Sequence, residues 1–402
     1  MHNSVWQFAT AATLQFGRGA RHVLLEQLQR HAVQTPLIVT DRTVAATAAA
    51  AEVLEQLQSA LKVTVFDKCV AEPAVEVAEQ AIEAGRLGRV DGVIGIGGGS
   101  NLDVAKVAAT VLRHGGRPQD YFGFNRIPGP VLPLFALPTT AGTGSEVSHS
   151  AVLTDRAQAV KVSTLSQWLR PNCAVVDPQL SDSCPQRVTA HSGIDALVHA
   201  IEAYTNRDFT QMVGVDPQAR AYEGSYPLTR LLAAEAIRLV GRSLVRVCQQ
   251  PADDGARDDM ALAATLAGMA FSNSGVAIVH ALEYPVGALT HCGHGEGNGL
   301  LLPHVMRFNL PQRQQQFAEI GTWLGATMPQ ACSQQQAAEL AVEQVERLLD
   351  AIGITRQLRN LGLQRHAIPQ VAAKAFEIKR LMDVNPRTPT LSDLEAILQA
   401  AY

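Results

Sequence analysis

The period of apolar positions along this chain changes near Asp177. Before it, compact β-branched and aliphatic runs at Leu37–Thr40, Val63–Phe66, Val93–Ile96, Leu132–Leu137 and Ala174–Val176 read as strands. Between them, Arg21–Arg30, Val44–Leu61, Ala74–Gly88 and Leu102–Arg113 repeat their apolar residues at helical spacing. Strand and helix in alternation predict βαβ units, hence a mostly parallel sheet covered by helices. After Asp177-Pro178, Ala-, Leu- and Gln-rich segments of helical length follow one another with few strand candidates, which predicts an all-helical second half. The boundary falls in Pro178–Pro185, giving an α/β domain over 1–181 and a helical domain over 182–402. Asn206–Pro227 mixes Asp, Gly, Pro and aromatic residues inside the helical half and predicts a long loop.

Composition narrows the classes. A chain of 402 residues, 47% hydrophobic and 17% charged, suits a globular protein of about two domains. A net charge of -4 without a basic block disfavours nucleic acid as a partner. The apolar runs Val131–Leu137 and Ala261–Ala270 are broken well short of the roughly 20 residues that span a bilayer, so no membrane helix is expected. Six scattered cysteines without a C-x-x-C pair fit a reducing cytoplasm. No apolar leader segment is recognisable, so the mature chain is expected to start near Met1.

Two glycine-rich turns carry the first candidate chemistry. Gly97-Gly98-Gly99-Ser100 leaves a strand and enters a helix, a place where bare backbone N–H groups and the helix dipole can meet a phosphate. The same sequence also suits a tight turn without ligand, because the full G-x-G-x-x-G spacing is missing. Ser100 followed by Asp103 resembles a capping box. Pro138-Thr139-Thr140-Ala141-Gly142-Thr143-Gly144 follows another strand and would lie at the same sheet edge. Asp41, also at a strand end, reads either as an acceptor for a ribose diol, favouring NAD over NADP, or as a helix N-cap.

The second candidate is a metal site. Asp195 and His199 stand four apart in a helical pattern and share a face. His280 lies in another helical stretch and His294 in a glycine-rich turn. One carboxylate and three imidazoles suit Fe(II) or Zn(II), although the compact spacing of strong metal motifs is absent and each histidine also has a structural reading.

These residues match a known family. Phe16–Ala20, Gly97–Ser100 with Asp103 and Lys106, Pro138–Glu146, Gly193–Glu202, His280–Pro303 and Asn385-Pro386-Arg387 recur in order, so the chain resembles the iron-containing (group III) alcohol dehydrogenases over nearly its whole length. The resemblance implies an N-terminal Rossmann-like dinucleotide-binding domain, an all-α C-terminal domain and an active site in the cleft between them. It implies metal ligands at Asp195, His199, His280 and His294, and NAD contacts at Asp41, Gly97, Gly98, Gly99, Ser100, Thr139, Thr140, Thr143, Val152 and Lys161. The implied activity is NAD(H)-linked interconversion of an alcohol and its aldehyde by a homodimer or larger homo-oligomer.

Tyr284 departs from the family pattern, standing where many members carry a histidine assigned to proton relay or substrate contact. Its readings are proton transfer, or packing and a plain hydrogen bond. Tyrosine there also resembles branches acting on anionic aldehydes or hydroxy acids, which keeps open an oxo-acid reductase and a hydroxyacid-oxoacid transhydrogenase. His149 and His191 are unusual within matching blocks, and each reads as structural or as a contact to an anionic substrate group. The segment Asn206–Pro227 is longer than its counterpart in typical members.

Overall fold

In the computed structural model, which describes residues 5–156, 160–212, 220–327 and 329–402, successive residues of the central strands serve opposite faces of one sheet. Leu37, Val39, Val93 and Leu134 pack into one apolar core, and Ile38, Ile94, Ile96, Phe135 and Leu137 into the other. Burial on both faces is why these strands read as continuous apolar runs and not as alternating ones.

The strands are β1 (Thr13–Phe16), β2 (Pro36–Val39), β3 (Thr64–Phe66), β4 (Gly92–Gly97), β5 (Gly123–Phe124), β6 (Leu134–Pro138), β7 (Ser150–Asp155), β8 (Val160–Leu165) and β9 (Cys173–Val176). The helices among them are α1 (Leu24–Arg30), α2 (Arg42–Ala45), α3 (Ala48–Ala60), α4 (Val75–Gly88) and α5 (Gly99–His114). Among the described residues the main sheet is parallel throughout, in the order β1-β9-β6-β4-β2-β3. The chain runs outward from β2 to β3 and returns to the other side of β2 as β4. This reversal opens a crevice beyond the carboxyl ends of β2 and β4, the place where α/β sheets bind ligands.

Several elements differ from the sequence reading. Strand β1 was not foreseen, because its Thr-Leu-Gln-Phe run is only partly buried and gains its place by pairing with β9. The hairpin β7–β8, with β5 beside it, forms a separate small sheet. The stretch Val44–Leu61 is two helices, because Asp41 caps α2 and the chain restarts at Thr47 to form α3. Ser100 and Asp103 do not form a capping box. The N-cap of α5 is Gly98; Ser100 Oγ instead accepts from Glu72 N, and Asp103 accepts from Ser145 Oγ and Val152 N.

Residues Ala9–Cys184 form one compact unit; Pro185–Tyr402, with the described residues before Ala9, form another. The second unit is helical: α6 (Gln186–Thr205), α7 (Pro227–Gln249), α8 (Asp254–Ser274), α9 (Ile278–Thr290), α10 (His294–Asn309), α11 (Gln314–Trp323), α12 (Gln334–Ile352), α13 (Ile368–Phe376), α14 (Lys379–Val384) and α15 (Leu391–Ala400). Helix α6 is buried nearly all round, packed on α7, α8 and α10. A helix in that position turns its polar side chains into the interior, where each needs a partner. No single helix among the described residues is long and apolar enough to cross a membrane. Of the irregular segment 206–227, the flanks are tied together by Phe209 N to Ser225 O and Ser225 N to Arg207 O; residues 213–219 lie outside the described ones.

Candidate active site

The buried polar side chains of α6 that matter most are Asp195, His199 and Glu202, at i, i+4 and i+7 on one stripe. Asp195 meets two histidines from other helices: His280 Nε2 lies 3.9 Å and His294 Nε2 3.8 Å from its Oδ1. One donor atom from each of Asp195, His280 and His294 falls within 4.8 Å of the others. His199 stands beside this trio, with Nδ1 3.8 Å from Asp195 Oδ2 and its ring stacked between Phe271 and His280.

The hydrogen bonds around the imidazoles decide what they can bind. His280 Nδ1 is 2.7 Å from Glu202 Oε2, and His294 Nδ1 is 2.5 Å from Glu283 Oε2. A carboxylate only accepts, so each Nδ1 carries the hydrogen, and in the neutral ring this leaves Nε2 with a lone pair. Asn298 Nδ2 donates to Asp195 Oδ1 at 2.8 Å and faces His294 Nε2 at 3.1 Å, in keeping with that tautomer. His280 Nε2 is buried and has no hydrogen-bond partner among the described residues. A buried lone pair with no donor, beside a carboxylate and a second imidazole lone pair, is a donor set for a divalent cation. Burial alone would raise the Asp195 pKa, but the neighbouring histidines and the Asn298 hydrogen bond outweigh it and hold the carboxyl below its ordinary range.

Sequence reasoning missed Glu202, Glu283 and Asn298. A signal was present, since His199-Ala200-Ile201-Glu202 and His280-Ala281-Leu282-Glu283 repeat one spacing. Each glutamate, however, serves a histidine from another helix.

Tyr284 is half-buried, its ring 6.0 Å from that of His294 and 6.4 Å from that of His280. Burial pushes the phenol pKa well above its ordinary value, with Arg380 pulling the other way. Burial in this environment favours the neutral phenol, a hydrogen-bond donor. His191 lies near Glu296, its Nδ1 4.0 Å from the carboxylate, and burial lowers its pKa. His149 is buried, and its carbonyl accepts from Ser166 N.

In the first unit, β4 and β6 are parallel neighbours with Gly97 opposite Pro138, so both small-residue turns emerge at one sheet edge. Gly97 has φ +147°, and a Cβ there would lie 2.0 Å from the Asn101 side chain. A Cβ on Gly99 would come 2.8 Å from Thr143. One on Gly98 would meet Thr140 only at 3.5 Å, so the turn presents bare backbone beside two threonine side chains. This fits a phosphate at the start of α5. Thr139 N donates to Gly97 O and joins the two turns.

Asp41 performs the cap role: Oδ1 accepts from Thr43 N and Val44 N, and Oδ2 from Asn101 Nδ2. It still lies at the carboxyl end of β2, across the crevice edge from the glycine turn. Val152 and Lys161 lie on the β7–β8 hairpin, where Val152 N donates to Asp103 and Lys161 Nζ pairs with Glu72 at 3.0 Å.

Fold and site together define a nicotinamide-linked, metal-using oxidoreductase. The model of the iron-containing alcohol dehydrogenases matches residues 11–178, and that of the C-terminal part of the Fe-containing alcohol dehydrogenase family matches 220–402. Long-chain-alcohol dehydrogenase 1 of Geobacillus thermodenitrificans is 37% identical over 96% of this chain and 94% of its own. The crystal structure of a 1,3-propanediol oxidoreductase superposes with a TM-score of 0.92 at 32% identity, covering 99% of this chain and 100% of the other. A sulfoacetaldehyde reductase from Bifidobacterium kashiwanohense, solved with NAD+, gives 0.85 at 27% identity, with 99% of both chains covered. The chain belongs to the iron-containing alcohol dehydrogenase family, whose cofactors are NAD and iron.

Proposed function

We propose that Asp195, His280 and His294, with His199 as the fourth ligand one turn after Asp195, hold Fe(II) or Zn(II), and that the glycine turn after β4 holds the pyrophosphate of NAD(H). The observation that carries this reading is the donor set itself, three atoms within 4.8 Å, one of them a buried and unpartnered Nε2. When bound, the metal supplies Lewis-acid polarisation of the substrate oxygen and the nicotinamide takes or gives the hydride. The chain's own residues do the rest. Glu202 and Glu283 hold the imidazoles in the ligating tautomer. The ring of Phe271, stacked on His199, presents an apolar wall on that side. Tyr284, its ring 6.0 Å from that of His294, would offer a hydrogen-bond donor to the site. Gly97–Ser100 with Thr139, Thr140 and Thr143 would bind the phosphates, and Asp41, Val152 and Lys161 would line the remainder of the dinucleotide.

One experiment tests it. Metal-stripped protein is assayed for NADH formation with and without Fe(II) or Zn(II), over neutral alcohols and ω-hydroxy or 2-hydroxy acids. Turnover should require metal, and Asp195→Ala should lose on the order of 10³-fold in kcat/KM, about 4 kcal/mol of transition-state stabilisation. Full activity in Asp195→Ala would overturn the assignment.

A second reading, an aldehyde carrying an anionic group, is favoured by Arg380. Its side chain hydrogen-bonds Tyr222, and its charge reaches Tyr284. A lower KM for 4-hydroxybutyrate than for 1-butanol, lost in Arg380→Gln, would support it; equal KM values would exclude it. We place the enzyme in the cytoplasm, in keeping with six described cysteines of which none forms a disulfide.

A further inference from the structure

Helices α8 and α9 meet at a bend of 104°, across Gly275, Val276 and Ala277. His280 stands on the first turn of α9, so the bend determines where its ring points. No side chain of the bend itself caps α9. The caps come from α6: Glu202 Oε2 accepts from Ala277 N and Oε1 from Val279 N, each at 2.8 Å. Just past the end of α6, the C-cap residue Asn206 donates through Nδ2 to Ser274 O at 3.2 Å and Gly275 O at 2.6 Å, closing the carboxyl end of α8. Both open helix ends are thus satisfied by one neighbouring helix.

Glu202 also accepts from His280 Nδ1, through the oxygen that takes Ala277 N. From this we infer that Glu202 is a positioning residue for His280: it caps the helix that carries the histidine and fixes the tautomer that bares Nε2, while Asn206 holds the bend. The inference rests on the reading of His280 as a metal ligand. Asp195, His199 and Glu202 follow one another at spacings of four and three, so one stripe of α6 carries two ligands and the tautomer clamp of a third, and the C-cap residue Asn206 adds the staple of its helix.

The chemistry of Glu202→Gln makes the inference testable. A glutamine keeps one acceptor oxygen and replaces the other by NH2. Three donors, two backbone N–H groups and Nδ1–H, cannot all be satisfied by it. If the NH2 faces His280, Nδ1 becomes the acceptor, the hydrogen moves to Nε2, and the ligating lone pair is lost.

Metal-stripped full-length protein and its variants are titrated with Co(II), read by the visible absorption of the bound ion and by competition with a chelator. Glu202→Gln should lose roughly 10- to 100-fold in affinity and change the absorption spectrum. Asn206→Ala, which leaves the Glu202–His280 hydrogen bond in place, should lower the melting temperature of the metal-free protein, cost less Co(II) affinity than Glu202→Gln and keep the parent's absorption spectrum. Parent-like Co(II) binding by Glu202→Gln would overturn the inference. So would losses of affinity in both variants that simply track their losses of melting temperature.

Should Glu202→Gln fail to fold, the ring nitrogens of His280 in the metal-free parent, read by ¹⁵N NMR, decide. Nδ1–H supports the inference, and Nε2–H overturns it. A parent that binds no Co(II) would sink the metal reading, and the tautomer measurement would still judge the role of Glu202 separately.

Discussion

The carboxylate of Glu283, fully buried on α9, accepts a hydrogen bond of 2.5 Å from Nδ1 of His294, the first residue of α10. The bond crosses from one helix to the next and aims Nε2 of His294 back toward Asp195. Replacing Glu283 by Gln should therefore weaken metal binding by roughly 10- to 100-fold and lower kcat/KM with it, leaving KM for NAD unchanged. Metal content after dialysis and NAD titration of the same variant check the two halves of this expectation.

Gly97 ends β4 with φ +147°, a conformation that side chains rarely adopt, and has the Asn101 side chain against it. Gly97→Ala should cost about 1–3 kcal/mol in stability, because the backbone must shift or Asn101 must leave Ile96 O and Asp41. Affinity for NAD should fall as well. An unchanged melting temperature with unchanged NAD affinity would show that the turn has room to spare.

Lys106 is buried on α5, its Nζ donating to Ser148 O, Ser148 Oγ and Ser150 O at 2.8–3.1 Å. Burial pulls its pKa down to about 8 from 10.5, with Asp103 and Glu146 opposing and Arg170 assisting. Between these two values the unfolded chain holds a proton that the folded chain has released, so this group makes stability rise with pH across the window from 8 to 10.5. The slope is at most about 1.4 kcal/mol per pH unit. In Lys106→Met that contribution should vanish. Denaturant unfolding of parent and variant at pH 7, 8, 9 and 10 measures it, and parallel curves would contradict the assignment.

Local pattern was enough for the framework. Runs such as Leu37–Val39 and Val93–Ile96 are apolar at every position because both faces of the sheet are covered, and a doubly buried strand has no other composition available. Gly97 and Gly99 had to be glycine because a Cβ would strike Asn101 or Thr143, and that constraint is written in the residue type. The i, i+4 relation of Asp195 and His199 follows from helix geometry alone.

The tertiary structure decided what lies far apart in the chain. Strand β1 exists because β9, some 160 residues later, offers an edge to pair with. Ser100 and Asp103 form no capping box because α5 already begins at Gly99, and their oxygens accept instead from Glu72 N, Ser145 Oγ and Val152 N. Glu202 reaches His280 across 78 residues, and only the bend between α8 and α9 makes that bond possible. Periodicity reports which way a side chain faces on its own element. Which partner it meets depends on how elements cross, and a hydrogen bond exists only where that crossing brings donor and acceptor within about 3 Å.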